Sequence, residues 1–141
     1  MGKAKRLQHH DYASNGTYFV TLCTRNRRPL LVAEVAAVVE RELLALPARF
    51  DGLSIDCWKI MPDHLHVLMH LNECGATVSE MVQAFKSLSW RAVREGDGIY
   101  RVWQPGFHDR IVRRENDMEG LHEYIRNNDK AHAKRRKSKR V

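Results

Sequence analysis

Two sets of side chains in this sequence have the types and spacing to do chemistry. The first is His64-Leu65-His66, directly after Pro62-Asp63. On a strand successive side chains point to opposite faces, so the two imidazoles share one face while Leu65, Val67, Met69 and Leu71 share the other. Two neutral imidazoles spaced in this way on a rigid backbone can reach one cation. His70 lies on the same face, two places further along. The second set is Tyr124 and Asn128, one helical turn apart and on nearly one line of a helix. An amide oxygen is a hard ligand suited to magnesium or manganese, and a phenol oxygen is a nucleophile once something stabilises its anion. A phenol ordinarily titrates near pH ~10, so it needs a polarised target, such as a phosphate whose charge a divalent ion withdraws.

Each set also has an ordinary reading. A single His is more often a surface or hydrogen-bonded residue, and this chain has eight. A Tyr near a helix C-terminus usually packs with its hydroxyl in water, and Asn127-Asn128-Asp129 is a common helix stop. Tyr12, Tyr18 and Tyr100 lack a potential ligand one turn away. Cys23, Cys57 and Cys74 are odd in number and widely spaced, which supports neither a disulfide framework nor a thiolate zinc site; they read as reduced, mostly buried small hydrophobes.

The elements that must position these groups follow from pattern. Thr17 to Thr24 is rich in β-branched and aromatic residues and reads as a strand, ended by Arg25 to Pro29. Val32 to Leu46 keeps helical apolar spacing and is expected to stop at Pro47. After Asp51-Gly52, Leu53–Met61 and His64–Leu71 read as two strands of an antiparallel hairpin. Thr77 or Ser79 can cap a helix with the apolar face Val78, Met81, Val82, Phe85, Leu88 and Ala92, ended by Gly96-Asp97-Gly98. A short strand is expected at Tyr100–Trp103, and a last helix from Glu115 to about Asn127, docked through Met118, Leu121 and Ile125. The fold class is therefore α+β, a ferredoxin-like βαββαβ antiparallel sheet with an additional C-terminal helix carrying the tyrosine.

The 141 residues fit one domain, expected over 1–129 and followed by a basic tail over 130–141 that reads as disordered. Of the 24 Lys and Arg, seven lie in that tail with none of the 17 Asp and Glu, so the net charge of +7 belongs to the tail and favours a polyanion partner. No apolar run approaches a membrane span, and the basic start is followed by Gln8-His9-His10-Asp11 instead of an apolar stretch, so the default is a cytoplasmic protein with no membrane.

Met61-Pro62-Asp63-His64-Leu65-His66 resembles the Met-Pro-Asn-His-hydrophobic-His signature of the HUH single-tyrosine transposases, which comprise small insertion-sequence transposases and those associated with repetitive extragenic palindromes. Gly16 to Leu22, Val102-Trp103-Gln104 with Phe107 to Arg113, and Tyr124 to Asn128 agree in the same order, so the resemblance spans about residues 12–130. It implies cleavage and rejoining of single-stranded DNA through a 5′-phosphotyrosine on Tyr124, with Mg²⁺ or Mn²⁺ on His64, His66 and Asn128 and no nucleotide cofactor. A hairpin or palindromic substrate and a possible homodimer are further implications. Asp63 stands where the family usually has Asn, and Asp129 where Pro commonly follows. DNA contacts are expected from Arg110, Arg113, Arg114, Trp103 and Gln104, since single strands are bound by charge combined with stacking, and from Arg6, Lys86 and Arg91. Two rival functions are a domesticated hairpin-binding protein that does not cut and a metal-dependent hydrolytic nuclease using water.

Overall fold

The computed structural model describes residues 15–97, 101–113 and 117–126. Strand β1 (Gly16–Cys23) leads through a 3-10 turn at Arg25–Arg27 to helix α1 (Ala33–Arg49). Strands β2 (Leu53–Met61) and β3 (His64–Leu71), helix α2 (Val78–Asp97) and strand β4 (His108–Val112) follow, and residues 117–126 form helix α3. The sheet order is β2-β3-β1-β4 with every neighbouring pair antiparallel, the expected βαββαβ arrangement with one helix added.

Strand alternation divides the apolar residues between two faces. Tyr18, Val20 and Leu22 of β1 and Leu65, Val67, Met69 and Leu71 of β3 point toward α1 and α2, where they meet Val39, Leu43, Leu46, Met81 and Phe85 in one large core. Each such side chain contributes roughly 1.5–3 kcal/mol on removal from water. On the other face Leu68 and Val112 are covered by Leu121 and Ile125 of α3, flanked by Phe19, Cys57 and Met118. That second cluster is small, and it docks the tyrosine helix as the sequence pattern requires.

The β2–β3 hairpin carries the histidines, and both its ends are fixed. Gly52 has φ +86°, and a Cβ there would lie 2.2 Å from the Asn72 carbonyl oxygen, so only glycine fits. At the other end Thr24 N–H and Oγ1 both donate to the Asp63 carbonyl, at 3.0 and 3.1 Å, and Leu31 N–H donates to the Pro62 carbonyl at 2.9 Å. The Pro62-Asp63 turn is thereby tied to the chain leaving β1.

Three details depart from the sequence reading, and one alternative it left open is settled. The fourth strand is His108–Val112, whereas Trp103 makes one isolated bridge to Thr24 and Tyr100 lies outside the described residues. Val102 and Trp103 are both buried and do not alternate, and the chain turns at Gly106 (φ +80°) before true alternation begins. Helix α1 runs through Pro47 to Arg49, since the buried Leu43 and Leu46 anchor it and Phe50 N–H closes on the Leu46 carbonyl at 3.1 Å. The cap of α2 is Thr77, in a reciprocal box with Glu80, while the Ser79 hydroxyl is buried without a partner among the described residues. The buried face of α2 continues through Ser89 and Val93, leaving Leu88 and Ala92 half-buried. Among the described residues no helix is long and apolar enough to cross a membrane.

Candidate metal and tyrosine site

His64 and His66 stand on β3, an interior strand paired on both sides, with ring centroids 4.7 Å apart. Each ring is oriented through Nδ1. Asp63 Oδ1 lies 2.7 Å from His64 Nδ1, and Arg27 donates to Asp63 Oδ2 from Nε and Nη2 at 3.3 and 3.1 Å. Partial burial works to raise the Asp63 carboxyl, but the hydrogen bonds from His64 and Arg27 and the Arg27 charge outweigh it and hold it below its ordinary range. A carboxylate only accepts, so His64 Nδ1 carries the hydrogen and Nε2 is left as a lone pair.

Thr21 pairs with His66 across β1 and β3 and places its hydroxyl 2.9 Å from His66 Nδ1. Burial, and next the neighbouring His64, push His66 from 6.5 down to about 4, so it is neutral at physiological pH. Both imidazoles are held through Nδ1, so the Nε2 atoms are the ones turned to a cation: His64 by the carboxylate–histidine support typical of metal ligands, and His66 in the tautomer whose Nδ1–H donates to the Thr21 hydroxyl. The donors present therefore fit a divalent ion. His70 is engaged elsewhere, with Nδ1 2.9 Å from Thr17 Oγ1.

Helix α3 brings Tyr124 to this pair. Its ring meets that of His66 edge-on at 5.5 Å between centroids, within one chain, and the residue is 52% exposed. Leu121 and Ile125, on the buried side of the same helix, fix that position. His66 in turn stacks on Phe19 at 5.2 Å, and the Arg110 guanidinium lies 5.6 Å from the Phe19 ring centroid. Cross-strand partners share a face, so Lys59 opposite His66 and His108 opposite Thr21 belong to the same surface. The arrangement offers a cation site, a solvent-accessible phenol and a basic rim, which is the equipment for chemistry on a phosphodiester.

The other candidates are distributed unevenly. Asn128, Asp129, Arg6 and Arg114 lie outside the described residues. Trp103 is 8% exposed, with Nε1 donating to Ser89 Oγ at 2.9 Å and its ring tilted against Phe85, so it is mainly a core residue that reaches the surface only as part of a cleft wall. Lys86 is half-buried, and burial lowers its ammonium; it donates to the carbonyls of Gln104 and Gly106, tying α2 to the 104–106 turn. Lys86 and Gln104 nevertheless line one cleft of about 400 Å³ with Arg25, Gln83, Trp90 and Arg101. Gln104 N–H bonds to the Cys23 carbonyl, and Cys23 pairs with His64, so the cleft opens at the histidine end of the sheet. Arg91 and Arg113 are exposed.

Sequence reasoning missed Arg27, Thr21, Phe19 and Lys59 as supports of the site. Asp63 was signalled by adjacency to His64, but the others depend on register and on loop geometry that no local pattern encodes.

Residues 12–128 match the family described as transposase, IS200-like. An uncharacterized protein of Haemophilus influenzae is 28% identical over 155 residues, covering 87% of this chain and 85% of that one. A REP-associated tyrosine transposase of Escherichia coli is 27% identical over 118 residues, covering 81% of this chain and 66% of that one. Among solved structures, a REP-associated tyrosine transposase bound to a REP hairpin superposes with a TM-score of 0.74 at 25% identity, over 88% of this chain and 72% of that one. A crystal structure from Deinococcus radiodurans shares the fold with a TM-score of 0.62 at 22% identity, over 84% and 94% of the two chains. The chain belongs to the IS200-like transposase family.

Proposed function

We propose that this chain cleaves and rejoins single-stranded DNA at hairpin-associated sites, with Tyr124 as nucleophile. The observation that carries the reading is the edge-on approach of the Tyr124 ring to His66 within one chain. Tyr124 Oη attacks the scissile phosphorus, its proton passing to solvent. The bond from phosphorus to the 3′-oxygen breaks, leaving a 5′-phosphotyrosine and, after protonation, a free 3′-hydroxyl. Attack by a 3′-hydroxyl reverses the step and frees the tyrosine. One phosphodiester is exchanged for another, so no water, ATP or nucleotide cofactor is consumed.

His64, His66 and Asn128 would hold Mg²⁺ or Mn²⁺, which supplies charge withdrawal from the phosphate when bound. Asp63 holds His64 in the ligating tautomer, and Thr21 orients the His66 ring and can accept from its Nδ1–H. Lys59 and Arg110 contribute positive charge beside the scissile group, and Lys86, Gln104 and Trp90 offer polar and aromatic surface to the adjoining strand. Arg6, Arg91, Arg113 and Arg114 are assigned to the phosphate backbone. The hairpin preference is carried over from the relative solved with a REP hairpin. Tyr124 meets His66 of its own chain, which supports assigning a single cleavage to one chain, without a contribution from a homodimer partner.

The test incubates the full chain and its Tyr124→Phe variant with a hairpin-bearing single strand and Mg²⁺ or Mn²⁺. A denaturation-resistant protein–DNA adduct is expected from the wild type, abolished by chelation and absent from the variant. An adduct or strand cleavage by Tyr124→Phe overturns the assignment.

A further inference from the structure

The β2 strand is irregular where it faces α3. Its register against β3 shifts between Ile55 and Cys57, leaving Asp56 without a pairing partner. In a regular strand Asp56 and Cys57 would point to opposite faces; a bulge lets neighbouring side chains turn the same way, and bulges often serve to re-aim a side chain. Asp56 Oδ2 lies 2.9 Å from His122 Nε2 of α3. A ligand atom of each of Asp56, Cys57 and His122 falls within 4.8 Å of the others.

We propose that Asp56, Cys57 and His122 form a second metal site, taking zinc or a similar borderline-soft divalent ion, that fastens α3 to β2. The donors are one carboxylate oxygen, one thiol sulfur and one imidazole nitrogen, a set that suits zinc and not the all-oxygen preference of magnesium. Ligands of a tetrahedral zinc lie roughly 3.3–3.7 Å apart, given bonds of about 2.0–2.3 Å, so side-chain adjustments of about an ångström close the site. A solvent-open cleft of about 480 Å³, lined by the three residues with Lys59, Ile125 and Arg126, gives an ion access and leaves a fourth position to water. Coordination takes the lone pair of His122 Nε2, whose hydrogen passes through solvent to Nδ1 so that the imidazole stays neutral, and the Cys57 thiol gives up its hydrogen to solvent as the sulfur–metal bond forms. The carboxylate and thiolate then balance the ion's two charges. Without an ion, burial and next Asp56 push the Cys57 thiol up to about 11, so it is an unreactive thiol.

His122 and Tyr124 project from different flanks of one helix, so an ion at His122 fixes the rotation that sets Tyr124 against His66. That consequence rests on the role proposed for Tyr124; the metal site itself does not. The test uses the full chain carrying His64→Ala and His66→Ala, which removes the other imidazole pair, titrated with Co²⁺ and then Zn²⁺. One equivalent of Co²⁺ should give a thiolate-to-metal charge-transfer band and be displaced by Zn²⁺. The band should vanish on further Cys57→Ser, and affinity should fall on the order of tenfold or more on further His122→Gln. Zinc should also raise the melting temperature of the double variant and leave that of its Cys57→Ser derivative unchanged; the metal-free melting curve shows that each variant is folded. Absence of the band, or its persistence after Cys57→Ser, overturns the proposal. No DNA enters these readouts, so they stand or fall apart from adduct formation.

Discussion

The two faces of the sheet are built to different standards. Toward α1 and α2, the sheet and two helices share one large core, and Tyr18, Leu43, Leu65 and Phe85 are almost wholly removed from water. Toward α3, the buried cluster among the described residues is Leu68, Val112, Leu121 and Ile125, flanked by Phe19, Cys57 and Met118, and beside it stand imidazole, hydroxyl and cation. One face supplies the stability that the other spends on function. The second face can hold two imidazoles and an open phenol because the larger share of the buried apolar core lies on the first.

That contrast is sharpest in paired truncations. Phe85→Ala should cost about 3–5 kcal/mol and unfold the whole domain in one denaturant transition. Leu121→Ala, in a thin cluster that can relax toward solvent, should cost about 2 kcal/mol, near the lower end for such changes. It should abolish most adduct formation while core amides keep their protection from hydrogen exchange. Equal unfolding costs for the two would break the contrast.

A smaller effect is expected at Asp63, whose carboxylate fixes the His64 tautomer. Asp63→Ala should weaken metal binding at the histidine pair by about 10–100-fold with little change in melting temperature, as removal of such supports does elsewhere. Asp63→Asn, which keeps an oxygen acceptor, should recover part of that loss. Isothermal titration with Mn²⁺ measures both.

The smallest expected effect is on stability against pH in chelator-treated protein. His66 titrates at about 4 when folded against 6.5 when free, so between those values the unfolded chain takes up a proton that the folded one refuses. Its contribution is therefore complete above 6.5, declines as pH falls, and levels off below about 4. Denaturant midpoints for wild type and His66→Gln should converge in slope everywhere except in that window; parallel curves throughout would contradict the burial of a neutral His66.

Much of this was legible in the residues, and the failures have physical reasons. Leu53–Met61 and His64–Leu71 were read with the bounds they have, because alternation and the Pro62-Asp63 break are local signals. The pairing of Met118, Leu121 and Ile125 on a docking stripe was local too. Trp103 misled toward a strand, and its burial against Phe85 was not legible, since an indole's composition signal is the same whether its face is open or packed. The half-burial of Lys86 was not legible, because its position off the apolar stripe predicts full exposure, whereas a turn from residues 104–106 folds back onto it. Thr21 and Phe19 could not be assigned at all without register, which pairs residues 45 positions apart.

The placement of His64 and His66 on an interior strand, and of Tyr124 on a helix added outside the sheet, sets an order of failure under stress. Freeing the imidazoles means separating β3 from both its neighbours, an event as costly as dismantling the domain, whereas the phenol departs when one short helix lifts away. Warmed or partly denatured, the molecule should part with its nucleophile while the imidazole pair stays assembled.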